Sequence, residues 1–158
     1  MMILEVQFLS VEYMKILATR FRHAIEAACA NGEFSDDFSF GHFPRACCGD
    51  ASDLLAQYLL DNGIATYYVC GEHYDDDSES NGQSHAWLKT ADDTIIDITG
   101  DQFKYDPTYL NYNESVYVGM IDEFHELFSV EDRDVHENHG LQALGDMCLP
   151  RLMKLYRI

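Results

Sequence analysis

The chain has 158 residues, 47 % hydrophobic and 13 % aromatic, with 28 Asp and Glu against 10 Lys and Arg for a net charge of −18. That is the length of one domain with enough apolar material for a core, which excludes global disorder. The charge excludes nucleic acid and an anionic membrane face as partners, because both need a basic surface. A basic protein partner is compatible with it, although acidity by itself serves solubility. No apolar run approaches the roughly 20 residues of a membrane span, so none is expected. Met1–Val6 lacks a basic start and a long apolar stretch, and is read as no signal peptide. Five cysteines, an odd number, argue for free thiols in a reducing cytosol rather than a disulfide framework.

In chain order, residues 2–9 alternate apolar and polar side chains and predict a strand or an extended arm. Ser10 then reads as an N-cap, and Met14, Leu17, Phe21, Ile25 and Ala28 recur at helical spacing up to Asn31-Gly32. Residues 33–46 form a loop whose Phe34, Phe38, Phe40 and Phe43 predict packing onto the core, with a groove lining as the other role. A second helix is predicted from Cys48 to Asp61, stopped by Asn62-Gly63, with Ala51, Leu54, Leu55, Tyr58 and Leu59 buried. Residues 64–70 are β-rich, and an acidic loop runs from His73 to Gly82. Residues 84–89 and 94–98 predict two strands joined by Thr90–Asp93. Pro107 marks a break, 116–120 another strand, 120–128 a short helix, and 149–156 an amphipathic segment. Helices followed by consecutive antiparallel strands predict an α+β domain. A single domain over 1–158 is expected, with a motif-bearing core at about 44–100 and an extension, 101–158, of no assigned role.

Three positions carry chemistry. Cys48 opens a predicted helix, His85 begins a predicted strand, and Asp97 lies within the next. Backbone N–H groups at a helix N-terminus favour a thiolate, and an adjacent imidazolium favours it more. His85 is then the base and Asp97 its orienting partner, provided both face the Cys48 helix. An aspartate among Ile95, Ile96 and Ile98 calls for such a partner. Cys47 remains a rival nucleophile. Gly49 leaves room for a substrate backbone and an oxyanion donor.

These blocks, Cys48-Gly49-Asp50-Ala51-Ser52-Asp53-Leu54-Leu55, Gly63–Gly71, His85-Ala86-Trp87-Leu88 and Ile96-Asp97-Ile98-Thr99, resemble the core of the transglutaminase-like branch of the papain-like cysteine protease superfamily. The resemblance implies an antiparallel sheet packed against a central helix that carries the nucleophile. It implies Cys48 as nucleophile, His85 as base and Asp97 as orienting acid, and prefers Cys48 over Cys47 because Asp50 and Leu54 then fall at the family's offsets. Ala46 stands where many members have glycine. The Cys48 backbone N–H, Gln83 and Gln102 are candidate oxyanion donors, and Trp87 a candidate lining residue.

The function expected is a thiol-dependent hydrolase or acyl transferase acting on an amide or ester of a peptide, protein or small molecule, with no cofactor and no metal. The alternative is an inactive relative that binds a basic protein or acts as an acidic inhibitor. Rival constellations are weaker. Cys70-x-x-His73 with Cys47, Cys48 and His85 suggests a zinc site without regular spacing. Residues 75–82 resemble a calcium loop but lack its closing glutamate. His136 and His139 share a face if their segment is helical.

Overall fold

The computed structural model describes residues 2–37, 40–74, 82–138 and 155. Helix α1 spans Met2–Ala30, α2 Cys48–Asp61 and α3 Glu123–Glu126. Strands β1 (Tyr67–His73), β2 (Gln83–Lys89), β3 (Ile95–Asp97), β4 (Tyr117–Gly119) and β5 (Val135–Glu137) form one antiparallel sheet in the order β4-β3-β2-β1-β5. The protein is therefore α+β. Among the described residues no helix is long and apolar enough to cross a membrane.

Residues 2–9 are not a strand. They are the first turns of α1, which runs unbroken through Ser10. No glycine or proline interrupts this stretch, Met, Leu, Glu and Gln favour helix, and the apolar set that alternates also repeats at i, i+4 (Met2 and Val6, Leu4 and Phe8). The helix stops where expected, with Gly32 at φ +76°. The second stop is also as expected. Gly63 takes φ +86°, and Ile64 N–H donates to Leu59 O at 2.9 Å. Strand β1 begins three residues later than its β-rich run and continues to His73, because pairing with β2 carries it on to His73 opposite Gln83.

The β2–β3 hairpin turns through Thr90–Thr94, with Asp93 at φ +65°. The register sets Leu88 against Ile96, and the pleat then sorts the side chains into two apolar layers. Leu88 and Ile96 pack with Leu17, Phe21 and Ile25 of α1 and Leu54, Leu55 and Leu59 of α2. Trp87 and Ile95 point the other way, into a cluster with Phe103, Tyr109, Phe124 and Phe128. Residues 101–128, to which the sequence assigns no role, thus cover the second face of the sheet. Of the loop aromatics, Phe34 and Phe40 are buried and Phe43 packs against the same core, as the packing expectation has it; Phe38 lies outside the described residues.

His136 belongs to strand β5, paired with Tyr68, so the helical reading of His136 and His139 does not hold. Pairing with the open edge of β1 overrides the weak helical signal of this charged segment, and His139 itself lies outside the described residues. The calcium-like run 75–81 lies outside them as well, as do residues 149–156 apart from a buried Leu155.

One buried ion pair ties α1 to the segment that follows β3. Arg22 reaches Asp101 through both terminal nitrogens, each at 2.8 Å, and Nη1 donates to Ile98 O at 2.6 Å. Gln102 follows Asp101 directly in the anchored segment.

Candidate active site

Cys48 is the first residue of α2, with Cys47 at the N-cap position. Ala46, just before them, has φ +61°. That is the left-handed region, where glycine is at ease and alanine is strained. The turn places Cys47 in the core, 3 % exposed, and leaves Cys48 half-buried at the tip of the helix. Burial pushes the Cys47 thiol up to about 12. Cys48 goes the other way: burial opposes its ionisation, but the His85 imidazole and then the Ala86 backbone N–H outweigh that and hold its pKa below the ordinary value. Of the two adjacent thiols, Cys48 alone has a stabilised anion.

His85 is wholly buried on β2. Its Nε2 lies 2.7 Å from Asp97 Oδ2 on β3. Burial lowers the imidazole's pKa, while the charge of Asp97 and the contacts to Asp97 and Cys48 raise it more, to about 9. Asp97 also accepts from the Thr99 backbone N–H at 2.9 Å. Burial works against the carboxylate, but His85 and a second histidine keep it ionised far below the usual range.

The layering differs from the expectation in one respect. His85 packs among Trp87, Phe103, Phe124 and Phe128, on the face away from the body of α2, while the intervening Ala86 and Leu88 lie on the helix side. Cys48 interacts with the ring because it stands at the very N-terminus of α2, beside the start of β2, and not because the whole helix covers the pair.

Gln102 Nε2 stands 3.2 Å from His85 Nδ1 and donates to Thr99 O at 3.1 Å. It also lines an open cleft of about 640 Å³ with Phe43, Pro44, Arg45, Lys104 and Tyr105. Gln102 is thus the link between that cleft and the histidine. Trp87 is buried, its ring centroid 5.7 Å from that of His85, so it packs the site and is not a surface lining. Gly49 lies in the first turn of α2 beneath Tyr68, whose hydroxyl would stand 3.1 Å from an added Cβ. Gln83 is exposed at the start of β2, opposite His73, and borders a separate hollow with Glu72, Tyr74 and Ser84.

Sequence reasoning missed His125. Its Nε2 is 2.7 Å from the same Asp97 Oδ2 that His85 contacts, and its Nδ1 is 2.6 Å from Asp122 Oδ1. Asp122 caps α3 by accepting from the His125 backbone N–H at 2.9 Å, and takes Tyr112 O–H at 2.8 Å. A capping aspartate three residues before a histidine (Asp122-x-x-His125) was the one local signal available.

His85, Asp97 and His125 place three ligand atoms within 4.8 Å of one another, the one such group among the described residues. Each histidine nitrogen stands 2.7 Å from the carboxylate oxygen. Ligands around a tetrahedral zinc with bonds near 2.0–2.1 Å would be about 3.3 Å apart. The spacing is therefore that of hydrogen bonds. The Cys70–His73 zinc set is not brought together. Residues three apart on a strand point to opposite faces, and His73 Nδ1 pairs with Tyr109 O–H at 3.2 Å. No family model matches the chain, and no curated protein or solved structure matches it either.

Proposed function

We propose that this chain is a thiol-dependent hydrolase or acyl transferase of the transglutaminase-like, papain-like type, acting on an amide or ester. The observation that carries the reading is the pairing of a helix-tip thiol of lowered pKa, Cys48, with an imidazole of raised pKa, His85, held at 2.7 Å by Asp97. A lowered thiol beside a histidine raised to about 9 favours the thiolate–imidazolium pair over two neutral groups.

With Asp97 on Nε2, His85 turns Nδ1 toward the nucleophile. The thiolate attacks the substrate carbonyl carbon, and the C=O electron pair moves to oxygen. The resulting oxyanion lies near the helix N-terminus and the Gln102 amide. On collapse, the C–N or C–O bond breaks and the Nδ1 proton of His85 goes to the leaving amine or alkoxide. A thioester remains. Water or an amine then gives a proton back to Nδ1 as it attacks, the C–S bond breaks, and the thiolate is restored.

The test is alkylation by iodoacetamide near pH 6, with the adduct mapped by mass spectrometry. Cys48 should label at least tenfold faster than Cys29 or Cys70, whose thiols are raised by burial and by nearby acids. His85→Ala should abolish the advantage, because the thiolate then loses its imidazolium partner. Equal labelling of Cys48 in wild type and His85→Ala would leave the acidic binding module as the better reading.

A further inference from the structure

The contacts of His125 fix its protonation by donor and acceptor bookkeeping. Asp97 Oδ2 lies 2.7 Å from His125 Nε2, and Asp122 Oδ1 lies 2.6 Å from His125 Nδ1. An ionised carboxylate only accepts, so each ring nitrogen facing one must carry a proton. Both carboxylates are ionised by independent contacts. Asp97 takes the Thr99 N–H and His85; Asp122 takes a backbone N–H and the Tyr112 hydroxyl. Around the ring stand His85 and Trp87 from β2, Asp97 from β3, Tyr117 from β4, Phe124 from α3 itself, and Tyr112. Asp97 and Asp122 are the negative charges among these groups and the His85 imidazolium the positive one, with Tyr112 and Tyr117 the other titratable groups. Both rings are buried: His85 is 0 % and His125 1 % exposed.

We infer that His125 is a doubly protonated positioning residue that pins Asp97 from the side opposite His85, and whose charge sets the upper pH limit at which His85 remains an imidazolium. The inference builds on the proposed thiol chemistry. Two imidazoles share one oxygen of Asp97, with ring centroids 6.2 Å apart. The cation on His125 competes with His85 for the charge of Asp97 and repels a proton arriving on His85. It also prevents the carboxylate from turning away, since Asp122 holds the far side of the ring. His85 thus keeps an oriented Nε2 contact but is less basic than it would be beside an uncompensated aspartate. A general acid must release its proton, and this arrangement makes that easier.

Two measurements test it. The first is nitrogen-15 NMR of histidine-labelled intact protein, which reads the protonation of each ring nitrogen without reference to activity. Both His125 nitrogens should be protonated from about pH 6 to 8, where a free histidine loses its charge. A neutral His125 at pH 7 overturns the inference. The second is the nitrogen-15 titration of His85 in His125→Gln, which removes the charge and keeps an amide donor. Removing a positive charge about 6 Å from His85 should move the pH at which His85 loses its proton up by about one unit. An unmoved titration overturns it. If His125→Gln does not fold, Asp122→Asn serves: the His125 spectrum should then lose its second proton at a lower pH, and an unchanged spectrum counts against the inference. Slow labelling of Cys48 in wild type defeats the thiol chemistry alone, and the histidine spectrum still decides the state of His125.

Discussion

Replacing Arg22 by methionine isolates the contribution of the pillar between α1 and the segment after β3. Methionine keeps most of the side chain's apolar stem and loses its charge and donors. The Arg22 and Asp101 side chains are 7 % and 11 % exposed, so the substitution leaves a carboxylate buried without its bidentate partner. It also strips a donor from Ile98 O at 2.6 Å and from Ser115 O at 3.3 Å. Breaking a buried pair in this way costs about 3–5 kcal/mol. For a chain of this size each kcal/mol lowers Tm by about 2–4 °C, so a fall of about 6–20 °C is expected. Urea unfolding followed by fluorescence is a direct assay, because Trp87 is the chain's one tryptophan and is 3 % exposed. The midpoint should fall with little change in slope. Asp101→Asn should cost less, since Arg22 keeps Glu26 at 2.7 Å and the two carbonyls. Joining Arg22→Met to Asp101→Leu should recover much of the loss, because no charge is then stranded. A cost for Arg22→Met below about 1 kcal/mol, or strict additivity in the double variant, would refute the reasoning.

Two further predictions concern backbone positions that frame the site. Ala46, exposed at φ +61°, should gain about 1 kcal/mol on Ala46→Gly; a lower urea midpoint would show that the strain is not there. Gly71 faces His85 across the β1–β2 ladder, and a Cβ there would meet Phe128 Cβ at 2.7 Å and Val130 Cγ2 at 3.1 Å. Gly71→Ala should cost about 1–3 kcal/mol by overpacking and should displace the aromatic layer against His85. Near-UV circular dichroism reads that displacement, and an unchanged spectrum with unchanged stability would contradict the crowding argument.

The elements that surround the candidate site were legible in the sequence because their signals are local. Asn62-Gly63 stops α2, and the runs 84–89 and 94–98 mark two strands, found at Gln83–Lys89 and Ile95–Asp97, whose short connection makes them neighbours. The helical periodicity marks α1 from Met14 onward, but Ser10 is a mid-helix residue and no N-cap, since residues 2–9 satisfy strand and helix patterns at once. His136 was misassigned because a three-residue edge strand carries almost no pattern of its own.

By itself the chain determined which residue opens α2, and that His85 and Asp97 belong to adjacent strands of one hairpin. Both follow from spacings of a few residues, within the reach of capping and turn chemistry. The tertiary structure decided the rest. The turn at Ala46 separates a buried Cys47 from a half-exposed Cys48. The pleat sends His85 into the aromatic layer formed by residues 101–128, where Gln102 and His125 meet it from positions 17 and 40 residues further along the chain. Such meetings depend on how the sheet's second face is covered, a matter of long-range packing that no local pattern encodes.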